Sequence, residues 1–261
     1  MQFGSVNDSA AVKAQYATSK GLDLRIAFHD MYSTNRQGFG NWLVSQYEIR
    51  EGMKVLEVGC GTGSMWIGHD DILSRCGRVV LADLSEGMIE KAKANLGERD
   101  NVEYRTEDIQ NLTFADDTFD AVIANAMLYH VPDLAQGLRE VRRVLKDGGV
   151  FYCSTMGENN FSDVLAEWFK LGGEEFHPNH EFTLQNGGAK LRKEFADVKA
   201  LVYEDSLHIT EPENLIEYLR SLISFKAILD IPVPQIRKIL EGHVENGAID
   251  LPKEYGTFVC R

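Results

Sequence analysis

The chain has 261 residues, 44% of them hydrophobic, with 40 acidic against 27 basic side chains and a formal net charge of −13. That supplies one good core with room for a small appended unit, and the acid excess opposes polyanion binding, so no nucleic-acid partner is expected. No apolar run approaches the ~18 residues of a membrane span, the first residues lack a charged-then-apolar signal pattern, and Cys60, Cys76, Cys153 and Cys260 show no C-x-x-C spacing, which points to a cytoplasmic protein without zinc or disulfides.

Two broken apolar patterns between Ala10 and Tyr47 predict two helices ahead of the first strand. In the first, Arg25, His29, Tyr32 and Ser33 fall along one face, either as packing and surface residues or as a cover for an active site. Val55 to Val58 then reads as a buried parallel strand that meets the turn Gly59-Cys60-Gly61-Thr62-Gly63, with a helix expected from Ser64 to Ser74. Alternate glycines let a ligand lie against bare main chain, as nucleotide-like cofactors require. The dinucleotide fingerprint G-x-G-x-x-G would put glycine where Ser64 stands, which argues against NAD. Glu57 at the strand end repels a pyrophosphate but attracts a cation, such as the sulfonium and amino groups of S-adenosylmethionine.

Arg78 to Asp83 is a second buried strand, and its terminal acid lies 24 positions past Gly59. A carboxylate there can accept both ribose hydroxyls, a spacing that NAD sites share. Ser85 is an N-cap for a helix from Glu86 to Leu96, ended by Gly97. Val102 to Thr106 is the third strand, followed by Asp108, which can cap a turn. Phe119 to Ala124 is the fourth, leading into Asn125 to Asp133 at the carboxyl edge of the sheet. Asp133 caps a helix from Leu134 to Leu145, Lys146 to Gly149 turns, and Val150 to Thr155 is the fifth strand.

Farther on, a helix is expected from Phe161 to Leu171, then a polar loop from Gly172 to Phe182. His177 and His180 beside Glu174, Glu175 and Glu181 read as a metal site or as exposed loop; no cysteine partner or single helical period supports coordination, so no metal is expected. A helix near Gln185 to Phe195 and a strand from Val198 to Ile209 follow. Thr210-Glu211-Pro212-Glu213 is a capping box for a helix through Leu222. A further helix runs from Pro234 to about Glu245, and a last strand, Tyr255 to Arg261, is expected antiparallel to the Val198 strand.

The stretch Val55-Leu56-Glu57-Val58-Gly59-Cys60-Gly61-Thr62-Gly63 resembles motif I of class I S-adenosylmethionine-dependent methyltransferases. Leu138-x-Glu140-Val141-x-Arg143-Val144-Leu145-Lys146-x-Gly148-Gly149 resembles a later marker of the same family. Leu24-x-x-x-Phe28-His29-x-x-Tyr32-Ser33 is similar to the lead of its bacterial small-molecule branch, the ubiquinone and menaquinone type. The resemblance implies a doubly wound, seven-stranded, mostly parallel Rossmann-like α/β sheet in a single domain: lid helices in 1–50, a cofactor core in 51–155, and substrate-side helices with a closing β-hairpin in 156–261. It implies S-adenosyl-L-methionine as cofactor and S-adenosyl-L-homocysteine as product. The implied cofactor contacts are Glu57, Gly59, Cys60, Gly61, Gly63, Asp83, Leu84, Met88, Asp108 (on the adenine amino group), Ile109, Asn125 and Ala126. Tyr32, Tyr129 and His130 are expected on the acceptor, and His130 or His29, with an ordinary histidine pKa, as the base if the acceptor carries a proton. The partner is a small-molecule acceptor of unresolved atom type, and the protein a monomer or homodimer. An NAD-dependent oxidoreductase, or a binding protein without turnover that regulates another enzyme, are the alternatives.

Overall fold

The apolar runs do pair into one sheet. In the computed structural model, which describes residues 20–171 and 180–261, seven strands lie in the order β3-β2-β1-β4-β5-β7-β6. These are β1 (Lys54–Val58), β2 (Arg78–Asp83), β3 (Val102–Thr106), β4 (Phe119–Asn125), β5 (Leu145–Met156), β6 (Val198–Ile209) and β7 (Ile249–Cys260). The first five pair parallel, and β7 pairs antiparallel with both β5 and β6. The order reverses between β2-β1 and β4, and that switch point opens a crevice at the carboxyl ends of the strands.

Successive residues of the central strands feed opposite faces, so both faces need cover. Leu56, Val58, Val80, Val122 and Phe151 join one apolar cluster, closed by Leu138, Val141 and Val144 of the Leu134–Val144 helix. Val55, Val79, Leu81, Ile123 and Tyr152 join the other, closed by Ile89, Ala92 and Leu96 of the Glu86–Leu96 helix. A third cluster sits beyond the sheet edge. There Phe28 and Tyr32 of the Lys20–Tyr32 helix pack with Leu207 and Ile209 of β6, Leu251 of β7 and Leu215 and Leu219 of the Pro212–Arg220 helix. The Lys20–Tyr32 helix is therefore packed on the carboxyl-terminal third of the chain.

Several elements differ from expectation. The helix after the glycine turn is one 3₁₀ turn, Ser64–Trp66, and helix resumes only at Asp70–Arg75. Ile67 is extended and Gly68 has φ 84°, which a continuing right-handed helix does not accept. Helix from Phe161 stops at Trp168, ahead of Lys170 at φ 54°. The helix near Gln185 is only Gly187–Leu191, and the next ones are Pro212–Arg220 and Val233–Glu241. Thr210 makes no capping box: Glu211 is the N-cap, without a side-chain bond, its carbonyl accepting from Asn214 N at 3.1 Å, and Pro212 fixes the first helical φ. Lys146 to Gly149 stay within β5 as a register shift, with Gly148 at φ 73°. The final strand begins at Ile249 rather than Tyr255, since pairing with β6 continues to Ile209↔Ile249. By contrast, Ser85 and Asp133 cap their helices as expected, accepting from the N–H of Met88 and Gln136.

Candidate active site

One cavity of about 900 Å³ runs from the glycine turn to the Lys20–Tyr32 helix, at the upper end of the range for small-molecule sites. At one end, Gly59, Gly61 and Gly63 take φ values of 72°, 54° and 70°. Gly59 and Gly61 line the cavity. A Cβ on Gly59 would lie 2.7 Å from Cγ of Met127. Gly59→Ala is expected to cost roughly 2–4 kcal/mol, the sum of a left-handed penalty and overpacking; denaturant unfolding measures it, and a loss under about 1 kcal/mol would mean that Met127 swings aside. Gly63 is not on the cavity wall, contrary to expectation. Its missing Cβ faces Leu96 Cδ1 at 2.8 Å, so this glycine lets the Glu86–Leu96 helix pack on the turn.

Asp83 closes the turn from β2. Its Oδ2 accepts from Gly61 N at 3.0 Å and its Oδ1 from Ser85 N at 2.9 Å, yet burial still raises the carboxyl above the usual range, against those hydrogen bonds. Leu84 and Met88 follow on the wall, as does Cys60, whose thiol burial pushes up. Asp108 and Ile109 line the next stretch. Asp108 Oδ1 also accepts from Gln110 N at 2.9 Å, so this side chain does cap a turn while standing at the cavity.

Glu57 is 1% exposed and accepts from Trp66 Nε1 at 2.6 Å and Asn125 Nδ2 at 3.3 Å. Burial raises its pKa to about 7 in spite of both bonds, and the Asp83 charge adds to the rise. Asn125 Nδ2 also donates to the Tyr47 hydroxyl at 2.8 Å, while its buried Oδ1 has no partner among the described residues. Ala126 is held at φ 49°, with its N–H donating to Ser154 O at 3.0 Å. A non-glycine residue there stores strain of about 1–2 kcal/mol, at the very strand end that faces the cavity.

The other end, beside the Lys20–Tyr32 helix, carries His29, Tyr129 and His130 on its wall. His130 stacks edge-on with Tyr129 at 4.6 Å between centroids. Burial, helped by the Arg25 charge, lowers its pKa to about 4, and burial with the Lys253 charge lowers His29 to about 3. An ordinary histidine pKa is therefore not met at either residue. His29 Nε2 lies 3.1 Å from the Tyr218 hydroxyl. Tyr32 is 4% exposed, its hydroxyl accepts from Asn214 Nδ2 at 2.6 Å, and it stands outside the wall. That bond ties the Lys20–Tyr32 helix to the Pro212–Arg220 helix.

Sequence reasoning missed Lys253, Tyr218, Tyr255 and Phe161, all of which line the cavity at that end. Only Lys253 left a signal: it follows Ile249 and Leu251 at alternate positions, the inward face of β7. Of the loop residues weighed against a metal site, His177, Glu174 and Glu175 fall outside the described residues. Among the described residues no group of metal-ligating side chains gathers, and no helix is long and apolar enough to cross a membrane. All four cysteines are buried and free.

A family profile described as a methyltransferase domain matches residues 56–153. A demethylmenaquinone methyltransferase of Staphylococcus aureus is 36% identical over 126 residues, covering 47% of this chain and 52% of the relative. The chain thus spans about half the length of the curated relatives it matches. Among solved structures, YcgJ of Bacillus subtilis is similar with a TM-score of 0.60 at 19% identity, over 85% of this chain and 96% of that one. The cyclase SpnF is similar with a TM-score of 0.61 at 16% identity, over 97% and 96%. These likenesses establish the Rossmann-like fold.

Proposed function

We propose that this chain is a class I S-adenosylmethionine-dependent methyltransferase of the bacterial small-molecule type, a reading supported by the match over residues 56–153, and that it transfers a methyl group to a small-molecule acceptor bound under a lid formed by the Lys20–Tyr32 helix. The observation that carries this reading is the single cavity that joins an acid-lined glycine turn to an aromatic lid end. The residues present fit the cofactor: Asn125 Oδ1 is buried without a partner, and Glu57 sits at a pKa that a bound cation would lower.

In this reading Glu57 holds the amino or sulfonium cation, Asp83 the ribose hydroxyls, Asp108 the adenine amino group, and Leu84, Met88 and Ile109 the faces of the adenosine. Asn125 and Ala126 take the methionine portion. S-adenosylmethionine bound there supplies a methyl group on positively charged sulfur. The chain's own work is to align the acceptor and exclude water. The lid is fastened for that purpose by Arg25 Nη1 to Ser221 O at 3.1 Å and by Lys253 Nζ to Ser33 Oγ at 2.6 Å.

Tyr129 and His130 flank the acceptor. With pKa values near 4 and 3, His130 and His29 are neutral and weakly basic at pH 7, so their proposed work is hydrogen bonding rather than proton removal. His130→Asn, which keeps a hydrogen-bonding group, is expected to slow methyl transfer by at most about tenfold with cofactor affinity unchanged. A loss of about a thousandfold in the same assay would restore the base.

The fold alone does not fix the reaction, since SpnF, of the same fold, is a cyclase. The deciding experiment is release of S-adenosylhomocysteine from S-adenosylmethionine across phenol, thiol, amine and carboxylic-acid acceptors. Tight cofactor binding without release from any acceptor would favour a regulatory binding protein. The four buried thiols support a reducing, cytoplasmic setting.

A further inference from the structure

The cavity is electrically divided. Its charged walls at the glycine turn are Glu57, Asp83, Glu107 and Asp108, whereas the lid end presents Arg25, Arg36 and Lys253 against Asp30. A basic lobe runs against the overall balance of a chain whose net charge is −13.

Lys253 is the buried cation of that lobe, 5% exposed. The β6–β7 register sets Asp205 directly opposite it. Its Nζ donates to Asp205 Oδ2 and to Ser33 Oγ, each at 2.6 Å, and lies 5.0 Å from the Tyr255 ring centroid. An ammonium has three N–H donors, so one remains for the cavity that Lys253 lines. Asp205 is the buried counter-charge of Lys253 through Oδ2, while its Oδ1 accepts from the N–H groups of Asn35 at 3.0 Å and Ser206 at 2.9 Å.

His29 supplies a second donor. Its Nε2 is within 3.1 Å of the Tyr218 hydroxyl and 3.5 Å of the Tyr255 hydroxyl. Burial raises both phenols, so each keeps a proton to donate. When Tyr218 donates to Nε2, the neutral ring carries its own proton on Nδ1, and Nδ1 is buried with no partner among the described residues. Phe161 and Tyr218 pack on the same imidazole, at 5.8 Å and 5.4 Å between centroids.

We propose that the lid end of the cavity is an oxyanion subsite, taking an acceptor whose anionic oxygen, a carboxylate or an acidic phenol, accepts from Lys253 Nζ and His29 Nδ1 while its apolar body lies among the aromatic rings. A protonated amine in that place has no lone pair with which to accept from Lys253 Nζ or His29 Nδ1. The proposal rests on the reading that the glycine-turn end holds the cofactor.

Its test is a calorimetric titration of the protein saturated with S-adenosylhomocysteine, using benzoate, para-nitrophenolate, benzamide and benzylamine. At least one anion is expected to bind about tenfold or more tightly than benzamide, and benzylamine not at all; the better anion tells carboxylate from phenolate. Lys253→Gln removes the preference and leaves S-adenosylhomocysteine binding unchanged. Because that change strands Asp205 as a buried charge, the double variant Lys253→Gln with Asp205→Asn is measured beside it and loses the preference as well. Equal binding of benzamide, tighter binding of benzylamine, a preference that survives in the double variant, or no saturable binding of any probe would each overturn the subsite. Failure of the unmodified protein to take S-adenosylhomocysteine would sink the methyl-transfer reading itself, and the subsite with it.

Discussion

Asp83→Ala lowers affinity for S-adenosylhomocysteine by about a hundredfold to a thousandfold and leaves the empty protein folded. The carboxylate is proposed to accept two ribose hydroxyls, and hydrogen bonds to a charged partner contribute about 1.5–3 kcal/mol each. Two of them near the low end of that range amount to ~3–4 kcal/mol, or two to three powers of ten in dissociation constant. The cost to folding is small for a separate reason. Burial already raises the Asp83 carboxyl in the empty protein, so its removal relieves a desolvation penalty while freeing the N–H groups of Gly61 and Ser85. These opposing terms leave a stability change within about 1 kcal/mol. Titration calorimetry and a thermal melt on the same preparation check both halves. An affinity within about threefold of the unmodified protein would mean that the ribose is held elsewhere.

Glu57→Gln makes the empty protein more stable at alkaline pH and a poorer cofactor binder. Glu57 has a pKa of about 7 in the fold against its usual 4.5. Between those values the folded state keeps a proton that the unfolded state has released, so stability falls as pH rises through that window. At 1.36 kcal/mol per pKa unit the ceiling is about 3 kcal/mol. Glutamine carries no such penalty: its melt should exceed that of the unmodified protein by several degrees near pH 8 and converge with it near pH 4. The binding effect has the opposite sign, because a cation bound beside Glu57 favours the ionised carboxylate. Affinity of the unmodified protein for S-adenosylmethionine should therefore rise between about pH 6 and pH 7.5, and that of the variant should stay flat. A pH-independent affinity in the unmodified protein would detach Glu57 from the cation. Trp66 Nε1 and Asn125 Nδ2, which donate to Glu57, keep an acceptor oxygen in glutamine.

The elements that were legible in advance are those whose signal is local. The run Val55 to Val58 ending at Gly59 and the Ser85 and Asp133 caps depend on period and turn chemistry within about ten residues, and the acid closing Arg78 to Asp83 on its spacing from the glycine turn within one strand–helix–strand unit. They suffice to bring Glu57, Gly59, Gly61, Asp83, Asp108 and Asn125 to one cavity, because parallel strands with right-handed crossovers have one place to deliver their carboxyl ends. Boundaries such as the break at Gly68 depend on backbone dihedrals that a glycine permits without requiring.

The sequence by itself thus determined the sheet, its glycine turn and the acids around one end of the cavity. Only the tertiary structure decided what the lid end is. Lys253 and Asp205 are 48 residues apart and become a pair through strand register. Gly63 and Tyr32 turn away from the cavity to pack helices, and both histidines lose their neutral-range pKa values to burial. Register, packing and desolvation are sums over neighbours distant in the chain, and no stretch of one strand or helix carries them.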